Sequence, residues 1–445
     1  MANIYSIFQL KQYDSLKQYK LKKSLRKLYK TRSNHFFNFN LTLFSNIKLE
    51  YKTFNNERQL IKMLKHKKNI DVNGKIVTSM IQYKHKLYVR DAFIKECFVT
   101  DMHALLLERN TKKNIYKKCI RNHNIHNLHN SSNIELLLTF LTSRLVEKKI
   151  TPHFPYFYGF NQSTFDKHTI NITEEYEPDV IDSIKKDSYN TITFKIIKKK
   201  GEVYLETYNI PVLLIYTEKL DGDLLNYIHD KEDNEEDISN GEWLSFIFQI
   251  IAALSIVQKY FNACHNDLHT SNIMFSYTEQ KYIYYEYKKK VYKVPTYGKI
   301  LKIIDWGRSS YDFNNYKGNN NVYNSDGPTF GQNIYNRINL QNKKPIPYNL
   351  SADLSLFISN LIENDTFPKK GALYTYAKSL LKDKQGTSFY HDEFDFNFYM
   401  DCSKYSYKGI PNKQIEHTLF KTFKISKKKA NKDKKEMSID IFSLE

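Results

Sequence analysis

The stretch HNDLHTSN, residues 265–272, is the most informative part of this chain, and it follows directly on an apolar segment with helical spacing. Asp267 and Asn272 lie five residues apart in it, a spacing that one tight loop can bring to a single site. A carboxylate there can orient or deprotonate an attacking hydroxyl, and an amide oxygen can ligate a metal ion. The stretch therefore predicts a centre for proton transfer and metal binding.

A second motif, KIIDWG at residues 302–307, places Asp305 33 residues beyond Asn272. An apolar strand that ends in an aspartate brings a second carboxylate to the first loop, where it can hold Mg²⁺ between phosphates. Either motif alone is a weak signal. Both in this order, after an apolar helix, indicate phosphoryl transfer.

Together the two motifs resemble those of the protein kinase fold, with HNDLHTSN in the place of the catalytic loop and DWG in the place of DFG. The resemblance implies ATP and Mg²⁺ as cofactors, with Asp267 as the catalytic base and with Asn272 and Asp305 as the metal ligands. It also implies that His265 supports the loop, and that Asp353, at the start of a buried helix, bonds the loop backbone.

A closer resemblance is to the divergent Ser/Thr protein kinases of large nucleo-cytoplasmic DNA viruses, over roughly residues 85–425. It is carried by the segments AFIKECFV, PHFPYFYGF, HNDLHTSNIM, IIDWGR and GIPNKQIEHTLFKTFKI. The composition, heavy in Asn, Lys, Ile and Tyr, is typical of an AT-rich genome of that kind. This resemblance implies a protein substrate with Ser or Thr hydroxyls, and a location in the host cytoplasm or the virion.

The segment IYTEKLDGD, residues 215–223, resembles the kinase hinge. The resemblance implies that the backbone of Glu218 and of Leu220 bonds the edge of an adenine, and that Asp223 reaches the ribose. These residues are the expected nucleotide-binding positions beside the metal ligands.

The expected ATP-anchoring lysine is Lys95, because Ala92-Phe93-Ile94-Lys95 matches the third-strand pattern of the kinase family. Such a lysine pairs with the phosphates and with a glutamate on a helix, for which Glu135 is the candidate. Lys117 or Lys118 is the rival lysine, and Glu147, at the far end of the same helix, is the rival glutamate.

The chain departs from the kinase pattern at several places, and the Ala-Pro-Glu motif of the family is not recognisable between Asp305 and Asp353. Gly74 is the only glycine before Lys95, so no glycine-rich loop is present to let the backbone approach phosphates closely. Asn266 replaces the arginine that usually precedes the base, so we expect activity without an activation-loop phosphate. His269 replaces the lysine typical of protein-directed kinases. A catalytically weak pseudokinase scaffold and a small-molecule kinase are therefore the alternatives.

The order of predicted elements indicates the fold class. Strands are predicted within 75–100 and at 191–199, 203–208 and 211–217, and a helix at 133–149. The pattern after Gly222 is helical, at Leu224–His229 and Trp243–Tyr260. We therefore expect an α+β, two-lobed protein kinase-like fold with a strand-rich N-lobe and a helical C-lobe. The expected boundaries are a basic N-terminal extension (1–60), the N-lobe with insertions (61–218), the C-lobe (219–425) and a basic tail (426–445).

Composition sets further limits. The chain has 445 residues and a formal net charge of +20, and its 41% hydrophobic content excludes a disordered chain. Four scattered cysteines favour a reducing compartment. The N-terminus does not resemble a signal peptide, and the apolar runs are too short for a transmembrane segment, so a soluble intracellular protein is expected.

Much of the basic charge lies at the two ends, within 11–32 and 421–435. Leu21, Leu25 and Leu28 share one helical face in the first segment, which either docks on a membrane or nucleic acid or packs on the body of the protein. The second segment is expected to be a flexible, solvated tail. Through these ends the charge allows contact with an acidic protein, a nucleic acid or a membrane surface, and a basic nucleic-acid-binding protein is a further alternative.

His123, His126 and His129 recur at every third position, as zinc ligands sometimes do. Asparagine residues lie between the histidines throughout the repeat. A low-complexity insertion loop is the favoured interpretation, and no zinc site is expected.

Overall fold

The computed structural model shows an α+β chain with several sheets and helices. It describes residues 10–12, 20–21, 23–25, 28–29, 52–54, 56–70, 74–99, 129–173, 187–189, 192–208, 210–313, 316–318, 320–323, 329, 331–332, 347–390, 396–437 and 439–445. The rival lysines Lys117 and Lys118 lie outside these residues, as do His123 and His126 of the histidine repeat.

The strands fall along the whole chain. In chain order they are β1 (Leu10–Gln12), β2 (Lys52–Phe54), β3 (Arg58–Ile70), β4 (Gly74–Tyr83), β5 (Lys86–Phe98), β6 (Phe157–Phe165), β7 (His168–Asn171), β8 (Asp187–Tyr189), β9 (Ile192–Lys199), β10 (Glu202–Tyr208), β11 (Ile210–Glu218), β12 (Gly222–Asp223), β13 (Ile273–Tyr277), β14 (Tyr282–Tyr287), β15 (Lys290–Pro295), β16 (Lys299–Ile303), β17 (Tyr311–Phe313), β18 (Tyr316–Gly318), β19 (Lys424–Ile425) and β20 (Ile441–Ser443).

The longer helices concentrate in the second half. They are α1 (Ser131–Glu147), α2 (Leu224–Asp233), α3 (Asn240–Phe261), α4 (Ala352–Glu363), α5 (Gly371–Leu380), α6 (Phe396–Tyr405), α7 (Pro411–Gln414) and α8 (Lys427–Met437). Short 3₁₀ turns cover Thr270–Asn272, Trp306–Arg308, Asn321–Tyr323 and Thr418–Phe423.

Strand β11 lies inside the main sheet of the first half of the chain and contributes side chains to two hydrophobic cores. It lies in an antiparallel five-stranded sheet of order β3-β4-β5-β11-β6. Its residues are apolar without interruption from Ile210 to Tyr216, because successive side chains point to opposite faces and both faces are covered. Leu213 and Ile215 join the large core that contains α1 and α3, whereas Val212 and Leu214 join a second core on the other face.

Helix α3 is the central helix of the large core. Its apolar side chains are buried from Trp243 at one end to Phe261 at the other, except for Leu244 and Tyr260, which are partly buried. By length and composition it is the one helix among the described residues that is long and apolar enough to cross a membrane, but 83% of its apolar window is buried inside the protein. Its apolar character is accounted for by this packing.

A ladder between β13 and β16 closes the gap of 33 residues between Asn272 and Asp305. Ile273 pairs with Ile303, and the backbone N–H of Ile304 donates to the carbonyl of Asn272 at 3.0 Å. The intervening residues form the hairpin β14–β15, which pairs with β19 and β20 near the C-terminus. The hairpin is an insertion that leaves the two motifs side by side.

Both basic ends contain residues packed on the body. Leu21 and Leu25 are helical and buried against the second core, and Ser24 accepts a hydrogen bond from the backbone of Met63 at 3.1 Å. The expectation of a flexible C-terminal tail is wrong, because residues 427–437 form α8. Ala430 and Asp433, three residues apart on one face, dock that helix, and Asp433 binds Tyr284 and Lys293.

Candidate active site

Three charged side chains from distant parts of the chain meet in one cluster, called here the lysine cluster. Nζ of Lys95, on β5, lies 3.1 Å from Oε1 of Glu135 on α1 and 2.8 Å from Oδ1 of Asp305. The side chain of Glu135 is 5% exposed, that of Lys95 25% and that of Asp305 44%. The cluster is closed on the side of Glu135 and opens to solvent at Asp305.

Mutual charge sets the protonation of the lysine cluster. Burial acts to lower the pKa of Lys95, but the charges of Asp305 and Glu135 outweigh it and raise that pKa. Enclosure by the protein acts to raise the pKa of Asp305, but the Lys95 ammonium holds it below its usual range. Burial raises the pKa of Glu135 in spite of Lys95. Asp305 is therefore ionised at neutral pH, as a metal ligand must be.

The turn that carries Asp305 packs directly on the start of α1. Asp305 has a φ of +66°, and the hydroxyl of Ser131 donates to the carbonyl of Gly307 at 2.6 Å. A Cβ at Gly307 would come within 3.2 Å of that hydroxyl oxygen. The glycine thus permits the close approach that brings Asp305 to the helix of Glu135.

The backbone of the 265–272 loop is held by Asp353, the second residue of α4. Its two carboxylate oxygens accept hydrogen bonds from the backbone N–H groups of His265 and Asn266, each at 2.8 Å. Burial raises the pKa of Asp353 to about 6, against the lowering effect of the two donors. Asn266 has a φ of +66°, a left-handed conformation in which asparagine is enriched. The loop is pinned just before Asp267.

The imidazole of His265 joins the loop to the second motif. Its Nε2 lies 2.7 Å from the carbonyl of Ile304, which can only accept, so Nε2 carries the proton. The ring lies against Trp306, with 4.9 Å between ring centroids, and burial lowers its pKa. Through this contact His265 would support the loop as the neutral imidazole.

Asn272 turns its amide toward the loop. Nδ2 donates to the carbonyl of Asp267 at 2.8 Å and lies 3.0 Å from Nε2 of His269. Because the nitrogen makes these contacts, the amide oxygen is the atom of Asn272 that would ligate a metal. Together with Asp305 across the β13–β16 ladder, it supplies the oxygen donors that Mg²⁺ prefers.

The carboxylate of Asp267 is surrounded by donors that sequence reasoning missed, and we call this group the aspartate cluster. Oδ1 accepts from Nη1 of Arg308 and from the hydroxyl of Tyr399, each at 3.0 Å, while Oδ2 lies 3.8 Å from Nε2 of His269. Arg308 directly follows the DWG motif, which was a usable signal. Tyr399 is 132 residues from Asp267, and only tertiary packing brings it there.

The hinge residues lie at the end of β11. The backbone N–H of Glu218 donates to the carbonyl of Tyr156 at 2.9 Å, so this N–H is already bonded, and the carboxylate of Glu218 binds Lys302. Leu220 is buried beside it. The carboxylate of Asp223 accepts from the backbone of Asn226 at 2.8 Å and so caps α2. Nucleotide binding by Glu218, Leu220 and Asp223 stays a prediction.

Gly74 has a packing role. It opens β4 and pairs with Lys95 across the sheet. A Cβ at this position would lie 2.7 Å from Cε2 of Phe93, so a larger residue would displace that ring. The requirement for glycine here comes from this contact within the sheet.

Two candidates from the sequence, the histidine repeat and the rival glutamate Glu147, lie outside the site described above. Of the histidine repeat only His129 is described, and its carbonyl accepts from the backbone of Asn321 at 2.8 Å. Within the described ranges, no group of three or more His, Cys, Asp or Glu side chains forms a metal site. Glu147, the rival glutamate, binds Arg144 and the backbone of Glu57, far along α1 from the lysine cluster.

Comparison with known proteins gives a partial relationship. No family model matches the chain. It is 35% identical over 130 residues to a protein of Acanthamoeba polyphaga mimivirus whose curated name is "Putative serine/threonine-protein kinase R301". The match covers 28% of this chain and spans only 31% of that relative. The similarity supports a kinase-like relationship over that segment.

Proposed function

We propose that this chain is an ATP- and Mg²⁺-dependent kinase with a two-lobed kinase-like fold, and that it phosphorylates Ser or Thr hydroxyls of proteins. One observation carries the proposal: Nζ of Lys95 lies within 3.1 Å of both Glu135 and Asp305, and the β13–β16 ladder sets Asp305 beside the loop of Asp267 and Asn272. A lysine, two acids, an amide and a base in this arrangement are the parts that phosphoryl transfer needs.

The residues present fit Mg²⁺. Two carboxyl groups face one ammonium in the lysine cluster, and Asp305, whose pKa is held below its usual range by Lys95, is 44% exposed and so within reach of a hydrated ion. Asp305 and the amide oxygen of Asn272 would hold the ion, with phosphate oxygens as further ligands. When bound, Mg²⁺ would neutralise the charge of the phosphates.

The chain's own residues would act by position and charge. Lys95, held by Glu135, would bind phosphate oxygens. Asp267 would orient the acceptor hydroxyl and take its proton as the bond from oxygen to the γ-phosphorus forms, while the bond to the β–γ bridging oxygen breaks and ADP leaves. Such positioning and preorganised charge account for most of the catalysis in phosphoryl transfer.

The protein acceptor is proposed on the name of the mimivirus relative, which is a Ser/Thr protein kinase by that name. A small-molecule acceptor is the second candidate. His269, which lies 3.8 Å from Oδ2 of Asp267, stands at the position where a lysine would be expected for a protein acceptor.

The test is phosphate transfer from radiolabelled ATP with Mg²⁺ to a panel of proteins and small alcohols. Wild type should label a protein, Asp267→Asn should not, and Asp230→Asn, an exposed control on α2, should match wild type. Labelling of small alcohols alone would replace the protein acceptor. If wild type transfers nothing and millimolar Mg²⁺/ATP does not raise its melting temperature, the chain is a scaffold and the proposal is wrong.

A further inference from the structure

The carboxylate of Asp267 is bonded asymmetrically. Both short contacts, from Nη1 of Arg308 and the hydroxyl of Tyr399, fall on Oδ1 at 3.0 Å. Oδ2 lies 3.8 Å from Nε2 of His269, which is beyond hydrogen-bond distance. One oxygen is thus anchored by two donors, and the other makes no hydrogen bond to the described residues.

Arg308 is itself held firmly at this place. Its carbonyl accepts from Nδ2 of Asn266 at 3.1 Å and from the hydroxyl of Tyr323 at 2.7 Å. Its guanidinium also reaches the side chain of Gln332 at 3.4 Å. Asn266 therefore ties the backbone of Arg308 to the loop of Asp267, and the guanidinium reaches Asp267 from this tethered backbone.

The loop carries no cation of its own. Residues 265–272 contain two histidines but neither lysine nor arginine. Arg308 is the guanidinium or ammonium that pairs with Asp267 in the described part of the chain. A planar guanidinium presents donors in a fixed orientation, which suits the alignment of a carboxylate better than a flexible ammonium does.

We propose that Arg308 is a positioning residue, which anchors Asp267 through Oδ1 so that Oδ2 is the oxygen that meets the acceptor hydroxyl. Tyr399 completes the anchor as the second donor to Oδ1. The inference rests on the proposed kinase activity and adds to it the residues and the oxygen atom that orient the base.

The test compares initial rates of Arg308→Gln and Arg308→Lys with those of wild type and of Arg90→Gln, an exposed arginine on β5. Arg308→Gln should lower kcat by about tenfold to a hundredfold, because a small displacement of a reacting group costs this much. Its KM for ATP and its melting temperature should stay at the wild-type values. Arg308→Lys should recover part of kcat, and methylguanidinium should restore activity to Arg308→Ala in a saturable way.

A double-mutant cycle with Tyr399→Phe separates anchoring from general stabilisation. Since Arg308 and Tyr399 bind the same oxygen, their effects on kcat should be non-additive, whereas Tyr405→Phe on the same helix should have no effect. The inference is overturned if Arg308→Gln keeps the kcat of Arg90→Gln. It is also overturned if its loss of activity is matched by a loss of folded protein and is not relieved by lysine or methylguanidinium. A wild type without transfer activity would instead refute the proposed function, and this inference with it.

Discussion

The lysine cluster and the aspartate cluster are neighbours with different charge balance. Around Lys95, two carboxyl groups face one ammonium, and Asp305 is the one that Lys95 keeps ionised while burial raises the pKa of Glu135. Around Asp267, one carboxylate faces one guanidinium and a neutral phenol. The first arrangement suits the binding of a divalent cation, and the second suits a base that is aligned without one. In the proposed kinase, the lysine cluster would hold metal and phosphate, and the aspartate cluster would meet the acceptor hydroxyl.

The two clusters also differ in what holds them. The lysine cluster depends on side-chain contacts between β5, α1 and the turn after β16. The aspartate cluster sits on a loop whose backbone is fixed by Asp353, with Arg308 and Tyr399 added from outside. Substitutions in the lysine cluster should therefore change its charge balance. Substitutions of the residues that hold the aspartate cluster should change the geometry of the 265–272 loop.

The largest effect should come from Asp305→Ala. It removes the proposed metal ligand while the Lys95–Glu135 pair stays, so we expect transfer to fall by at least about a thousandfold with little change in melting temperature. Initial-rate assays and thermal unfolding measure the two quantities, with Asp230→Ala as the control. If Asp305→Ala retained transfer, Asp305 would not be a metal ligand, and the proposed difference in role between the two clusters would be wrong.

Lys95→Met should affect stability as well as activity. Without the ammonium, Glu135 and Asp305 are left as uncompensated neighbouring carboxylates, and we expect the free energy of unfolding to fall by about 3 kcal/mol. The double variant Lys95→Met/Glu135→Gln should recover stability but not transfer. Urea unfolding of both variants decides this, and equal stability of the single variant and wild type would contradict it.

Asp353→Asn should loosen the loop of the aspartate cluster. An amide can accept one of the two backbone N–H groups of His265 and Asn266 but meets the other with a donor, so we expect a loss of about 2 kcal/mol. Urea unfolding measures the loss, and kcat should fall with it because Asp267 follows these residues directly. Unchanged stability would show that the loop is held by other contacts.

The smallest effect should be a pH dependence from His153, whose backbone carbonyl accepts from Ile303 on the strand that leads to Asp305. Its Nδ1–H donates to the carbonyl of Leu301, and its Nε2 accepts from the hydroxyl of Tyr285, both at 2.7 Å. Burial lowers its pKa to about 4. At a pH between about 4 and 6.5, His153 is therefore protonated in the unfolded chain but stays neutral in the folded protein.

The contribution of neutral His153 to the free energy of unfolding is therefore fully present above pH 7, and it is lost as the pH falls from about 6.5 towards 4. The loss should reach about 1 kcal/mol at pH 5.5. Urea unfolding at pH 7.5 and pH 5.5 should show this loss in wild type, and it should shrink in His153→Gln. An identical pH dependence in both proteins would assign it to other groups.

The strongly patterned elements could be predicted from the sequence. The helix predicted at 133–149 is observed at Ser131–Glu147, and the strand predicted at 211–217 at Ile210–Glu218. Strand β3, Arg58–Ile70, was not predicted, because its second half is exposed and carries polar residues on both faces. The hairpin β14–β15 was also missed, since its partners β19 and β20 are more than 100 residues away.

The sequence by itself determined which residues are candidates for chemistry, because motif spacing within a loop or at a strand end is a local property. It placed Asp267, Asn272 and Asp305 in two short motifs and singled out Lys95 and Glu135 by their pattern. Only the tertiary structure decided which atoms meet. The ion pairs of Lys95 and the anchoring of Asp267 by Arg308 and Tyr399 join segments separated by as many as 210 residues. Such contacts depend on how separate elements pack, which no local spacing specifies.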